Sequence, residues 1–310
     1  MRKLVIFVAA LMSFAVANAQ RDLMLSQQFF SRLNANPAAT GNSDDIDFFL
    51  LGRWQWIGVE DSPKSGVLNI SDYFEGFRSG VGLTVSYDDI GISNRTTIAK
   101  AAYAYHINVN ESMLLSMGLS AGVLYHYWNP EKHRLQNPAE FGQETFPAEV
   151  TTALEPDMDF GLELATPRLL FGASVDHLLN NDDDVSTSKP GRQFYWYARA
   201  LFPLTEAIDF APAIVYMHRN TVDRAELNLF CFFEKTIWGG VTYRPDINAE
   251  FSSNMLTFTL GLEYKRYRFG YSFEWGLGEI SELSSNSSEF LISYRLPKKV
   301  KNKYVRFMED

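Results

Sequence analysis

The sequence predicts an all-β protein, a transmembrane antiparallel up-and-down β-barrel of about 14 strands. Three observations predict it. Fourteen segments alternate apolar and polar residues with a period of two, which is typical of strands with one apolar and one polar face. The gaps between these segments alternate between long and short, which indicates a meander whose two ends differ. A secretion signal precedes the first strand.

Residues 1–19 have the three parts of a secretion signal. Met1-Arg2-Lys3 supplies positive charge, residues 4–16 form an apolar run, and Ala17-Asn18-Ala19 matches a cleavage site. The apolar run is shorter than the roughly 20 residues that a membrane-spanning helix needs. We therefore expect a cleaved signal peptide and a mature chain that begins at Gln20.

The composition suits a barrel in a membrane. The 310 residues include 24 Phe, 15 Tyr and 6 Trp, enough for aromatic girdles at two membrane interfaces. The mean hydropathy is only −0.15, as expected when apolar residues occupy every second position of a strand. A formal net charge of −9 argues against nucleic acid as a partner. Because Cys231 is the single cysteine, no disulfide can form within the chain.

The strands follow one another from residue 46 to residue 296. In the clearest, 115–127, every odd position is apolar and most even positions are Ser, Gly or His. We expect Pro212 to remove one donor from its strand and to mark a bulge. The predicted strands are 46–56, 66–73, 79–88, 95–108, 115–127, 157–165, 168–178, 193–203, 207–218, 225–234, 238–245, 255–264, 267–275 and 287–296.

The connections distinguish the two ends of the barrel. The odd-numbered connections are 57–65, 89–94, 128–156, 179–192, 219–224, 246–254 and 276–286. The even-numbered ones are shorter, at 74–78, 109–112, 166–167, 204–206, 235–237 and 265–266. Outer-membrane barrels have short periplasmic turns and long outward loops. An even strand number then places both termini in the periplasm, with 20–45 as an N-terminal segment or plug, 46–296 as the barrel and 297–310 as a basic tail.

Assigning the apolar face to lipid places charges of both signs in the lumen, since a charge facing lipid costs up to a few kcal/mol at the membrane midplane. The charged residues on the lumen face are Arg53, Lys100, Asp159, Glu163, Arg199, Glu226, Glu234, Arg244, Glu263, Arg268, Glu274, Glu289 and Arg295. A two-residue turn at Lys265-Arg266 places Glu263 opposite Arg268, which predicts an ion pair in the lumen. Such an interior indicates a filled lumen and not an ion-selective pore.

Short motifs along the mature chain resemble one family. Residues 36–41, Asn-Pro-Ala-Ala-Thr-Gly, have the form NPA-x-x-G, and residues 53–56, Arg-Trp-Gln-Trp, have the form R-x-Q-W. Later segments that fit are 102–107, 115–122, 171–174, 238–244 and 289–296. In this order they resemble the PorP/SprF family of type IX secretion membrane proteins over nearly the whole mature chain.

The resemblance implies a protein of the outer membrane in a Bacteroidetes cell envelope, with an architecture similar to FadL-type channels. It implies a non-enzymatic role in type IX protein secretion and in gliding motility. The partners it implies are the C-terminal domain of an exported protein, or a surface adhesin, and a periplasmic lipoprotein that links the secretion machine to peptidoglycan. The sequence itself has no glycine-rich phosphate loop and no Cys/His metal spacing, so we expect no cofactor.

Candidate contacts follow from the two motifs. Asn36-Pro37 is typical of a turn. Arg53 and Gln55 share the lumen face, so they are positioned either to clasp the N-terminal segment as a plug or simply to join the other lumen charges. The candidate plug or partner contacts are Asn36, Pro37, Gly41, Arg53, Gln55 and Trp56. The lysines of the tail suit either a docking site or a solvated charge run.

No catalytic or metal-binding motif stands out. Asp176-His177 is the single adjacent acid–histidine pair, and neighbours on a strand face opposite sides, which argues against a hydrolase. The acidic run 180–184 suits either a cation site or a solvated loop. The long connection 128–156 is a candidate lid or partner surface. Two other functions stay open: a FadL-like transporter of small hydrophobic solutes, and a soluble secreted β-domain.

Overall fold

The computed structural model describes residues 23, 25–30, 32–91, 94–129, 149–179, 190–219, 222–245, 247, 254–277 and 286–298. Within them one antiparallel sheet closes on itself. Its strands are β1 (Ile46–Trp54), β2 (Lys64–Phe74), β3 (Ser79–Asp89), β4 (Asn94–Asn110), β5 (Met113–Trp128), β6 (Thr151–Ala165), β7 (Leu169–Asp176), β8 (Gln193–Ala200), β9 (Phe202–Pro203), β10 (Ile208–Arg219), β11 (Val222–Phe233), β12 (Ile237–Arg244), β13 (Met255–Tyr264), β14 (Tyr267–Gly276) and β15 (Ser287–Leu296). Because β8 and β9 both pair with β10 and form one strand of the wall, the barrel has 14 strands.

The first and last strands close the barrel. β1 pairs with β15, and Ile46 lies opposite Leu296, so the chain enters and leaves the wall at the same rim. We call this rim the turn end, because the connections there are short: 75–78, 111–112, 166–168, 204–207, 234–236 and 265–266. The opposite rim is the loop end. At the last of these turns Tyr264 lies opposite Tyr267, the register expected for a two-residue hairpin.

The loop end differs from the sequence prediction by one or two residues at several strand ends, and three connections change the comparison of the two rims. β6 begins at Thr151, six residues earlier than predicted, which shortens the longest connection to 129–150. The connections after β3 and β10 shrink to 90–93 and 220–221, because both flanking strands continue into them. The alternation of long and short connections therefore holds for five of the seven loop-end connections, and it still identifies the two rims.

Pro212 interrupts the sheet without producing the expected bulge. Ala213 lies opposite Arg199 and Phe210 opposite Phe202, so β8 and β9 meet β10 in one continuous register. The pairing with β10 skips Ala200 and Leu201, because the register places Ala200 opposite Pro212, which has no N–H to donate. The Leu201 N–H faces the other neighbouring strand and donates to the Arg168 carbonyl, next to β7, at 2.9 Å.

The wall is inverted relative to that of a soluble protein. Outward side chains in mid-strand are large and apolar, among them Leu50, Tyr103, Leu119, Phe160, Phe171, Ile214, Phe258 and Leu260. Inward side chains are polar or charged and buried, among them Ser116, Ser120, Asp159, Glu163, Arg199, Glu226, Glu274 and Glu289. This is the distribution that lipid outside and a polar lumen require. One assignment was wrong: Glu234 is exposed in the turn after β11, because that strand ends at Phe233.

The outward face makes the first prediction. Leu119 lies six residues into β5, and its side chain is 45% exposed on the lipid side. We expect Leu119→Arg to reduce the stability of the folded barrel by about 2–4 kcal/mol, because an arginine near the midplane must lie in hydrocarbon. Val109→Arg, at the turn-end rim, is the matched control and should cost no more than about 1 kcal/mol. Urea unfolding in lipid vesicles measures both, and equal costs would contradict the lipid-facing assignment.

Some sequence predictions fall outside the described residues: the signal peptide 1–19, the acidic run 180–184 and the tail from residue 299. Lys298 is described, and it is not simply solvated. Its Nζ donates to the Tyr73 carbonyl at 2.5 Å and pairs with the Asp72 carboxylate on β2. Across the described part of the chain, no helix has the length and apolar character needed to span a membrane.

Candidate functional site

The lumen holds the N-terminal segment from Leu25 to Asn42, described except for residue 31, which we call the plug. It contains three short 3-10 helices, Gln28–Phe30, Arg32–Asn34 and Pro37–Ala39. Most of its residues are buried, including Leu25, Ser26, Gln27, Phe29, Ala35, Asn36, Ala38 and Thr40. The plug begins beside Glu289, near the loop end, and reaches β3 at the turn end before the chain enters β1.

The NPA-x-x-G motif forms a compact turn in the plug. Asn36 caps the third 3-10 helix, since its Oδ1 accepts from the Ala38 N–H at 2.9 Å. Pro37 occupies the first position of that helix, where its missing N–H costs nothing. The Thr40 hydroxyl donates to the Pro37 carbonyl at 2.7 Å. Gly41 then reverses the chain with a φ of +71°, which favours glycine.

Inward glycines of the wall make room for this turn. A Cβ on Gly118 of β5 would overlap the backbone of Pro37 and Ala38, and a Cβ on Gly161 of β6 would overlap the Asn36 amide. The plug backbone can therefore lie directly on the strands. The Asn36 Nδ2 uses this proximity to donate to the Leu162 carbonyl at 2.9 Å.

An aromatic cluster fills the lumen between the plug and the turn-end half of β11 and β12. Phe29 stacks on Phe230, with ring centroids 4.5 Å apart, and Phe30 lies 4.2 Å from the Trp238 ring. The Arg199 guanidinium lies 3.8 Å from the Phe29 centroid. Trp238 and Phe230 are almost completely buried. Each fully buried aromatic contributes about 1.5–3 kcal/mol of apolar burial, so this cluster anchors the plug.

Arg53 joins the plug to the wall near the loop end. Its guanidinium binds Glu274 through two hydrogen bonds of 2.8 and 2.5 Å, and it also pairs with Glu289. The same guanidinium donates to the Ser26 hydroxyl at 3.1 Å. Glu289 accepts the backbone N–H groups of Ser26 and Gln27 at 2.6 and 2.9 Å. Arg53 therefore serves both roles that the sequence left open: it belongs to the lumen charges and it holds the plug.

Glu163 forms a second attachment near the turn end. This fully buried carboxylate accepts from Arg32 Nε at 3.2 Å and from the Asn42 amide, both of which belong to the plug. The Tyr197 hydroxyl of β8 also donates to it, at 2.6 Å. A buried carboxylate needs such partners, because leaving it unpaired in the lumen would be costly. The plug is thus fastened at both ends by carboxylates of the wall.

The other R-x-Q-W residues lie outside the plug contact. The hydrogen-bonding neighbours of Gln55 place its amide oxygen toward Arg53. Gln55 Oε1 then accepts from Arg53 Nε and Nη2, both at 2.9 Å, so Gln55 orients the arginine. Trp56 lies at the loop end and its side chain is exposed. The motif therefore extends from the plug contact at Arg53 to the surface at Trp56.

Glu263 and Arg268 meet across the β13–β14 hairpin. Arg268 Nε and Nη2 donate to Glu263 Oε1 at 2.9 and 2.6 Å, near the turn end. The Arg268 guanidinium also lies 5.0 Å from the centroid of Phe30, so it contacts the plug. The pair is partly exposed, and its expected contribution to stability is about 1 kcal/mol or less.

A cluster that the sequence did not predict lies on β4 and β6. Lys100 Nζ is 2.7 Å from both Asp157 and Asp159. His177, just past β7, places Nδ1 2.7 Å from Asp157 and donates its backbone N–H to Asp159 at 3.1 Å. His177 thus binds two aspartates of β6. In the sequence, the one pattern that pointed to this cluster was the placement of Lys100 and Asp159 on the lumen face.

The charged side chains of the lumen are arranged to hold the plug and fill the lumen more than to catalyse a reaction. Three ligand atoms, from Asp157, Asp159 and His177, lie within 4.8 Å of one another, close enough for a cation. The Lys100 ammonium already lies against both aspartates, so a positive charge is built into that position. The carboxylates that contact the plug are likewise engaged by arginine, hydroxyl and backbone donors.

Comparison with known proteins places the chain in a family. Residues 17–294 match the model of the family described as type IX secretion system membrane protein PorP/SprF. No curated protein sequence matches the chain. Among solved structures, the CymD monoaromatic hydrocarbon channel is similar, with a TM-score of 0.53 and 12% identity over 89% of this chain and 93% of that chain. The TodX deltaS2S3 mutant monoaromatic hydrocarbon channel has a TM-score of 0.52 and 12% identity over 86% of this chain and 94% of that chain.

These likenesses confirm the fold and the location predicted from sequence. At 12% identity the two channels show the fold alone, an antiparallel barrel of FadL-like architecture. The matched family is one of membrane proteins, and a closed 14-strand barrel is typical of outer membranes. The chain is an outer-membrane protein that belongs to the PorP/SprF family of type IX secretion system membrane proteins.

Proposed function

We propose that the chain is a non-enzymatic barrel of the type IX secretion system that binds polypeptides at its two ends. The family supports the link to secretion. The plug is the observation that favours polypeptide binding over passage of a molecule through the lumen. It lies in the lumen and is fastened by Glu289, Arg53 and Glu163. A barrel with an occupied lumen offers its rims to partners more readily than a path through its centre.

Each rim of the barrel faces a different compartment, so each is assigned its own partner. With the turn end in the periplasm, the loop end faces outward. The loop end then meets the C-terminal domain of an exported protein or a surface adhesin, and the turn end meets the peptidoglycan-binding lipoprotein of the machine. Purification of the tagged chain from intact outer membranes tests these partners together. Recovery of the barrel without any secretion component would count against the proposal.

Deletion of the gene separates secretion from transport. The second candidate is a FadL-like transporter of small hydrophobic solutes, favoured by the similarity to two channels described as monoaromatic hydrocarbon channels. Loss of a polypeptide from the cell surface, with normal toluene uptake, would support the secretion role. Loss of toluene uptake alone would support transport.

The plug makes a prediction about conductance. We expect the purified full chain to give little steady conductance in planar lipid bilayers, because the plug and the paired charges around it occupy the lumen. An open porin measured in the same bilayers is the reference. A large, steady conductance from the wild-type chain would contradict a filled lumen.

A further inference from the structure

The connection from β1 to β2 leaves three apolar side chains exposed at the loop end. Trp56, Ile57 and Val59 are 39%, 46% and 46% exposed. We call these three residues the apolar knob. They lie beyond the last residue of β1, Trp54, and Ile90 of the next loop-end connection adds another exposed apolar side chain. Exposed apolar groups that lie next to one another are typical of an interaction site.

The knob has a fixed backbone. The Gln55 N–H donates to the Pro63 carbonyl at 3.0 Å and closes the base of the connection. The Ile57 N–H donates to the Asn286 backbone carbonyl at 3.0 Å, which ties the knob to the segment before β15. Trp56 has a φ of +50°, a left-handed conformation that costs an L-residue roughly 1–2 kcal/mol. Ordering of this kind before binding lowers the entropy cost of docking.

The border of the knob is acidic. Glu60 and Asp61 follow it directly, and both are exposed. The connection after β3 lies against this side, because a Cβ on Gly91 would be 2.8 Å from the Asp61 carbonyl. That connection follows Asp88 and Asp89 at the end of β3. Arg95 pairs with Asp89 and Lys64 lies opposite it, so Glu60 and Asp61 leave the net charge of this border negative. Acidic groups beside an apolar centre disfavour an anionic lipid surface and favour a cationic protein surface.

We propose that the apolar knob docks an exported or surface-anchored polypeptide whose contact face is apolar and bordered by lysine or arginine. The inference rests on the proposed function and adds the place of docking and the chemistry of the partner. Trp56, Ile57 and Val59 supply the apolar centre, and the carboxylates of Glu60 and Asp61 pair with the cationic border.

Site-specific photo-cross-linking in intact cells tests the proposal. A photoreactive residue replaces Ile57 in the full chain, and a second strain carries it at Leu179, which is 51% exposed at the same rim. We expect a polypeptide adduct from position 57 and little from position 179. Heat-modifiable migration on gels shows that each barrel has assembled. If the chain with the probe at position 57 does not fold, the probe is placed at Val59.

Charge reversal tests the chemistry of the partner. In the chain with the probe at position 57, we expect Glu60→Lys with Asp61→Lys to lower the adduct yield about tenfold, equivalent to about 1.4 kcal/mol. Glu111→Lys, which reverses an exposed charge at the turn end, should leave the yield unchanged. Adducts with lipid only, equal yields at the two positions, or yields indifferent to charge reversal would overturn the docking proposal. The proposed function is tested separately by gene deletion. If deletion removes a polypeptide from the cell surface, the secretion role holds even where cross-linking contradicts docking at the knob.

Discussion

Replacing Arg53 with methionine is expected to destabilise the barrel by about 3–5 kcal/mol and to loosen the plug. The substitution leaves Glu274 and Glu289, both buried, without their shared cation. Arg244 remains 3.7 Å from Glu274 and offsets part of the loss. The Ser26 hydroxyl loses its contact with the guanidinium as well. Stability and plug attachment should therefore fall together.

Two measurements check the Arg53 variant. Urea unfolding in lipid vesicles gives the loss of stability, and protease digestion of the N-terminal segment reports release of the plug. Arg95→Met is the matched control, since its pair with Asp89 is more than half exposed on the arginine side and should contribute less than about 1 kcal/mol. Adding Glu274→Gln and Glu289→Gln to the Arg53 variant should restore part of the stability. Equal effects of Arg53→Met and Arg95→Met would show that the buried network does not stabilise the barrel.

The wall of this barrel was predictable because lipid imposes a rule on each outward residue separately. Leu119 and Phe160 must be apolar whatever their neighbours are, so a period of two survives in a single sequence. The β13–β14 register was also predictable, since a two-residue turn leaves one way to pair Glu263 with Arg268. The start of β6 was not. Thr151, Thr152 and Leu154 are all exposed, so no alternation of apolar and polar residues is required there.

The interior was predictable only in part. The period of two placed Arg53 and Glu163 in the lumen, but it could not say which plug groups reach them. Glu163 accepts from Asn42, 121 residues away in sequence, and no local pattern specifies that pairing. The inward glycines carried a usable signal. Gly118 and Gly161 lie on the lumen face of neighbouring strands, where missing side chains leave space for another backbone.

The Gly118→Val variant is expected to displace the plug from the wall while the barrel still assembles. Any Cβ at this position overlaps the backbone of Pro37 and Ala38, and backbone cannot move aside as a flexible side chain can. Overpacking of this kind costs about 1–3 kcal/mol or more. The strand itself is not broken, because valine is well suited to β-structure.

Cross-linking between plug and wall measures the displacement of the plug. The Ser174 hydroxyl donates to the Ala35 carbonyl, so cysteines at these two positions, in a Cys231→Ser background, should react with a short thiol cross-linker. We expect efficient cross-linking in the parent chain and very little after Gly118→Val. Gly52→Val is the matched control, since a Cβ there meets no atom within 4 Å and the strand position is again a glycine. If Gly118→Val and Gly52→Val cross-link equally well, the plug does not rest on the glycines of the wall, and its attachment depends on the aromatic cluster and on Glu289, Arg53 and Glu163.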